Sequence, residues 1–190
     1  MTYPVVPEGT VLFEDDFQHG VSSNWSVGEG WEIRSDTTGN SFYCVSTESS
    51  NHSYIYTKAD MWQDYALSVQ VMVVKSSSLG SGNVVVRANL SPEYSDYNYG
   101  FGEKMSTIFK EMGSPNTSQI VATTHSEWIT GKWQDVRFEA KGDYLSIYQN
   151  NIPILQNKDN SITHGAIMLG AGGSGWDVCF DNVRVTALRR

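Results

Sequence analysis

Residues 133–140, 144–148, 165–169 and 178–185 each carry apolar side chains at every second position, and glycine, asparagine or aspartate separates one stretch from the next. A period of two asks for one buried face on each strand, and turn residues at such short intervals leave no room for crossover helices. The ladder therefore predicts an all-β chain folded as an antiparallel β-sandwich.

Length and composition agree with that reading. At 190 residues the chain is longer than a common domain, but sandwiches run to about 200 to 250 residues around one core, so residues 1–190 are read as a single domain. Hydrophobic residues make up 39% of the chain, enough for a packed interior, and its 17 glycines are scattered among turns rather than gathered into a linker. The net charge of -8 and pI near 4.9 repel nucleic acid and anionic membrane surfaces, because phosphate binding needs a cationic stripe. No apolar run reaches the ~18 residues of a membrane-spanning helix. The opening Met1-Thr2-Tyr3-Pro4 lacks a cationic start followed by an apolar stretch, so a secretory signal is expected to be absent or already removed. Cys44 and Cys179 leave two arrangements open, a disulfide between strands or two buried thiols; two cysteines without partner histidines do not make a zinc site.

Residues 11–17 read as the first strand, ending in an acidic cluster. In residues 65–74, Leu67, Val69, Val71 and Val73 share one face, and Ser68, Gln70 and Met72 the other. After a polar loop over 76–82, Val84, Val86 and Ala88 are expected to face inward, which sends Val85, Arg87 and Asn89 to the opposite face. Tyr97, Tyr99 and Phe101 then share one sheet face. Residues 105–112 have some helical look, but Thr107, Ile108 and Phe109 favour a strand.

The opening Phe13-Glu14-Asp15-Asp16-Phe17, Trp25 and Gly30-Trp31-Glu32-Ile33 resembles that of concanavalin A-like jelly-roll domains attached to bacterial glycan-degrading enzymes. The closing Trp133-Gln134-Asp135-Val136, Gly142 to Tyr148, Gly165 and Phe180-Asp181-Asn182-Val183-Arg184-Val185 is similar to the ending of the same superfamily. The likeness lies nearest to laminin-G-like and levan-binding carbohydrate modules, and it implies a jelly roll with a carbohydrate ligand. Related modules hold a structural calcium between their terminal strands, so the resemblance points to Asp15, Asp16 and Asp181 as metal ligands, with Glu14 in reserve. Calcium wants about six to eight oxygens. Adjacent aspartates point to opposite strand faces, so a bulge or carbonyl ligation is required; otherwise these are solvated edge charges.

A sugar site needs aromatic faces for pyranose C–H groups beside fixed donors and acceptors for hydroxyls. Trp25, Trp31, Trp62 and Trp133 precede or open strands and read as packing, whereas Trp128 and Trp176 sit in polar, glycine-bearing segments and are the stacking candidates. Arg87, Asn89, Tyr97 and Tyr99 are expected to complete the site on an open sheet face, with Lys110 as an accessory. The alternative for Arg87 is a salt bridge, and for the tyrosines cross-strand packing.

Catalytic patterns are thin. Jelly-roll glucanases carry paired carboxylates along one strand, since acid and nucleophile must flank one bond; Glu93 and Asp96 have the wrong spacing, and His19, His52, His125 and His164 are scattered. No nucleophile elbow, phosphate loop or His-Glu-x-x-His segment is present. Asn-x-Ser/Thr triplets at Asn24, Asn51, Asn89 and Asn116 are explained by composition. The sequence thus reads as a noncatalytic, monomeric, extracellular or cell-surface carbohydrate-binding module that targets a tethered enzyme to a neutral polysaccharide. The rival readings are a glycoside hydrolase or lyase of the same fold with acids drawn from separate strands, and a laminin-G-like adhesion domain.

Overall fold

A computed structural model describes residues 6–47, 52–58, 62–113 and 118–189. The strands are β1 (Val11–Asp15), β2 (Trp25–Val27), β3 (Trp31–Ser35), β4 (Ser41–Thr47) and β5 (Ser53–Thr57). They continue with β6 (Tyr65–Lys75), β7 (Gly80–Asn89), β8 (Ser95–Phe101), β9 (Met105–Met112) and β10 (Ser118–His125). The last are β11 (Trp133–Lys141), β12 (Tyr144–Gln149), β13 (Ile152–Lys158), β14 (Ala166–Gly173) and β15 (Trp176–Ala187). The described residues contain no helix.

The strands form an 8-stranded sheet, ordered β13-β12-β11-β6-β15-β4-β3 with β1 also on β15, and a 7-stranded sheet, ordered β10-β9-β8-β7-β14-β5-β2. Every pairing is antiparallel, the arrangement of a jelly-roll sandwich. The core lies between the sheets: Leu67, Val69, Val71 and Val73 of β6 meet Val84, Val86, Tyr97, Tyr99 and Phe101 of β7 and β8. The alternation predicted for β6 is thus the one observed, and residues 105–112 form a strand.

Local sequence explains the turns. Asn150 and Asn151 both take left-handed φ, 50° and 63°, and join β12 to β13 in the two-residue hairpin that asparagine favours. Asn182, at φ 50°, sits where β15 slips register against β6 between Asp181 and Arg184. Its amide nitrogen donates to Asp181 Oδ1 at 2.7 Å and its side chain to Gln70 Oε1 at 2.8 Å, so the closing Asp-Asn pair marks a bulge. Cys44 and Cys179 are cross-strand partners on β4 and β15 and are joined as a disulfide, with Cα atoms 4.0 Å apart. This settles the alternative left open by sequence. The bond lies on the outer side of the larger sheet under Phe42, Met72 and Trp133.

Two glycines of β7 make room for core rings. A Cβ at Gly82 would lie 2.1 Å from the Phe101 ring, and one at Gly80 would lie 2.4 Å from Trp176. Phe101 is fully buried, so it has nowhere to retreat. Gly82→Ala is therefore expected to destabilise the protein by about 1 to 3 kcal/mol, the usual cost of overpacking; denaturant unfolding of the variant checks this.

Candidate functional site

The structure redirects most of the side chains that sequence assigned to a ligand. Tyr97 and Tyr99 do share a face, as expected, but that face is the interior, and both are fully buried. Their hydroxyls are taken up there: Tyr97 donates to Asp159 Oδ1 at 2.5 Å and Tyr99 meets Ser106 Oγ at 2.9 Å. Trp176 is 1% exposed; its indole nitrogen donates to the Ser77 carbonyl at 3.0 Å, so a glycine-bearing segment did not keep it at the surface. Trp128 is half-buried and stacks on Phe101, with ring centroids 4.2 Å apart. Its indole nitrogen is buried with no hydrogen-bond partner.

Arg87 is the largest correction. It takes φ 53° where β7 slips register against β8 between Val86 and Asn89, and this bulge breaks the alternation that placed Arg87 on an open face and Ala88 in the interior, turning Ala88 outward beside Val85. The guanidinium is sealed, 1% exposed, and donates to the carbonyls of Gln63, Gly142 and Ile162 at 2.9 to 3.1 Å and to Asp64 Oδ1 at 3.3 Å. Asn89 likewise donates to Arg87 O, Ser95 Oγ and His164 O. Lys110 turns inward from the adjacent strand and donates to Asp159 at 2.6 Å. Of the Asn-x-Ser/Thr triplets, those at Asn51 and Asn116 lie outside the described residues.

The acids expected to hold calcium gather where β1 meets β15. Asp15 accepts from the amides of Phe17 and Ser22 and from the Trp25 indole at 2.9 Å. Asp16 accepts from Gln18, and Asp181 accepts from Asn40 and Asn182. Burial, reinforced by the charges of Asp16 and Asp15, raises the Asp181 pKa, although the Asn40 and Asn182 bonds oppose this. Both oxygens of Asp15 and of Asp181 thus accept N–H donors, and one oxygen of Asp16 does. Among the described residues no group of three His, Cys, Asp or Glu side chains converges as a metal ligand set.

A different set of residues meets on the outer face of the seven-stranded sheet. Because Tyr97, Tyr99 and Phe101 point inward, Asp96, Asn98 and Gly100 of the same strand point outward. Register places Asp96 opposite Glu111, and Asn98 opposite Phe109, on β9; on the other side Asn98 faces Val85 and Gly100 faces Asn83 of β7. The row continues through Met168 and Gly170 of β14 to Tyr56 and Tyr54 of β5. Val85, Ala88, Ala166 and Met168 form a small apolar floor against which Tyr54, Tyr56 and Tyr94 pack.

Two features of this face bear on ligands. Glycines under neighbouring rings keep it low: a Cβ on Gly170 would lie 2.3 Å from Tyr54, one on Gly172 2.5 Å from His52, and one on Gly100 3.1 Å from Phe109. In addition, Asp96 is fully buried and Asn98 is 6% exposed, yet Asp96 Oδ1 and Asn98 Oδ1 have no hydrogen-bond partner. Such oxygens cost about 1 to 3 kcal/mol each when left unpaired. The other Asp96 oxygen accepts from the Tyr94 hydroxyl at 2.6 Å. Burial, aided by the nearby Glu111 charge, outweighs that bond and pushes the Asp96 pKa up to about 7. Burial also raises Glu111, eased by Ser118 and the charge of His52.

The sequence matches the family profile described as a 3-keto-alpha-glucoside-1,2-lyase-like domain over residues 10–186, and the chain belongs to that family. Solved structures share the fold at low identity. The carbohydrate binding module CBM66 from Bacillus subtilis is 16% identical, with TM-score 0.67 over 86% of this chain and 96% of that one. A prokaryotic beta-1,3-1,4-glucanase (lichenase) derived from a mouse hindgut metagenome is 11% identical, with TM-score 0.69 over 93% and 99%. A Bacillus subtilis protein of unknown function with a galectin-like fold is 12% identical, with TM-score 0.73 over 97% and 99%. No curated protein matches the sequence.

Sequence reasoning missed Asp96, Asn98, Glu111, Tyr54 and Phe109 as a group because it attended to the tyrosines of β8 rather than their alternates. The available signal was the same period of two. A buried acid whose folded pKa lies above the ordinary value of about 3.9 favours the folded state at low pH. The contribution of Asp96 should therefore be complete below about pH 4 and lost as pH rises through about 7. Asp96→Asn is expected to remove that part of the decline in melting temperature between these limits; thermal melts of both proteins across pH measure it.

Proposed function

We propose that this domain binds carbohydrate on the outer face of its seven-stranded sheet, with Tyr54 and Phe109 as ring contacts and Asn98 among the hydrogen-bonding groups. The observation that carries the reading is the pairing of low-lying rings over glycines with buried, unpartnered oxygens on the same rows. Sugars combine C–H faces that pack on rings with hydroxyl donors that satisfy such oxygens. Membership of a glycoside-lyase-like family and the shared fold with a carbohydrate binding module and a glucanase support the ligand class. The acidic balance of the chain favours neutral glycans over anionic ones. The disulfide suits an oxidising, extracellular setting, in which a monomeric module acts as the targeting partner of a tethered enzyme.

One observation favours a second reading, in which the face also does chemistry. Asp96 and Glu111 come from separate strands and stand directly opposite one another. Asp96 holds its proton near neutrality while its neighbour is the more exposed of the two. Such a pair is suited to proton donation and acceptance at a bound sugar.

Calorimetric titration with a panel of neutral oligosaccharides tests the binding proposal. Tyr54→Ala and Phe109→Ala are each expected to weaken binding by ~1 to 3 kcal/mol, by analogy with bases stacked on aromatic rings. Unchanged affinity in both variants would overturn the assignment of this face. Product formation from the same sugars, lost in Glu111→Gln, would decide for chemistry; binding without turnover would decide for a targeting module.

A further inference from the structure

We propose a second carbohydrate subsite on the opposite side of the sandwich, in a hollow of about 660 Å³ over β11, β12 and β13. The proposal takes its ligand class from the reading above, but its location stands on separate observations. Tyr144, Ser146 and Tyr148 lie on one face of β12, and Tyr144 is 44% exposed. The two rings are four residues apart, about 13 Å along a strand, a spacing that suits a short oligosaccharide better than a single ring.

Hydrogen-bonding groups flank the rings on both neighbouring strands. On β13, Gln156 stands opposite Ser146 and donates to its hydroxyl at 3.2 Å. On β11, Glu139 also faces Ser146, and Arg137 holds one of its oxygens at 2.8 Å. Lys158 lies 4.3 Å from the Tyr144 ring centroid and 3.9 Å from Asp143, so positive and negative groups are interspersed. That mixture of tyrosine, amide, hydroxyl and balanced charge matches a neutral polyol better than a uronate or phosphate, which would call for a cationic cluster.

The rim of this hollow is also fixed from behind. Gly142, Asn160 and Thr163 border it. Arg87 binds the carbonyls of Gly142 and Ile162, and Asp64 accepts the Gly142 amide at 2.6 Å. Tyr97 accepts the Ile162 amide at 3.1 Å while donating to Asp159, which Lys110 and the Ser161 amide also bind. Several side chains that sequence assigned to ligand contact thus serve as struts beneath this rim. A hollow held in one shape before binding loses less entropy on capture.

The test follows tyrosine and phenylalanine ring resonances by NMR during titration with cellohexaose, laminarihexaose and a levan-type fructo-oligosaccharide. At least one sugar is expected to shift the Tyr144 and Tyr148 rings. Tyr144→Ala with Tyr148→Ala should abolish that capture and leave the melting temperature and any Tyr54 and Phe109 response in place. Gln156→Ala, a milder change, should weaken the same response about 5-fold or more. Shifts confined to Tyr54 and Phe109 would overturn this subsite and leave the first face standing. Shifts confined to Tyr144 and Tyr148 would support it while removing the first. No shift at these tyrosines with any of the sugars overturns it.

Discussion

A pleated strand sends every second side chain to the sandwich interior, and in this chain many of those side chains are large rings carrying a polar atom. Burying such a ring is most favourable when that atom finds a partner, because an orphaned donor or acceptor in a dry core costs free energy, as at the Trp128 indole nitrogen. Tyr65 donates to the Ala166 carbonyl at 3.0 Å and accepts the Arg87 amide at 2.6 Å. Trp25 donates to Asp15, Tyr97 to Asp159, and Trp176 to Ser77. The loops at the ends of the sheets are consequently tied to the core by ring-borne polar atoms.

This requirement accounts for Arg87. A guanidinium cannot shed its charge, so its burial depends on a full set of acceptors. Here carbonyls from three chain segments and the Asp64 carboxylate supply them. Asp159 obeys similar logic: burial opposes its ionisation, but the Lys110 ammonium and Tyr97 hydroxyl, together with Ser161, outweigh it and hold the carboxyl well below the usual range. These groups determine where backbone segments sit.

The fold was legible because its information is periodic. Val69, Val71 and Val73 follow one another at the spacing a half-buried strand requires, and the paired asparagines at 150 and 151 announce a tight hairpin. The site was less legible for two physical reasons. Period two says which residues share a face and leaves open which face is covered, so Tyr97 and Tyr99 were grouped correctly and placed on the wrong side. A bulge adds one residue without changing composition, so the turn of Arg87 into the interior left no mark in the pattern. Trp176 misled for a related reason: Gly80, remote in sequence on β7, leaves the space that its ring fills. Resemblance identified the architecture, but it did not determine how the aspartates of β1 and β15 are partnered.

The Cys44–Cys179 bond spans a sequence separation of 135 residues, and both cysteines lie on adjacent strands of the larger sheet that have neighbours on both sides. A protease that nicks any single exposed turn between them would leave two polypeptides still covalently joined. Re-closure of the sandwich after such a cut would remain a unimolecular event. A domain exposed to foreign hydrolases outside a cell would thereby tolerate cleavage that would scatter an unlinked chain.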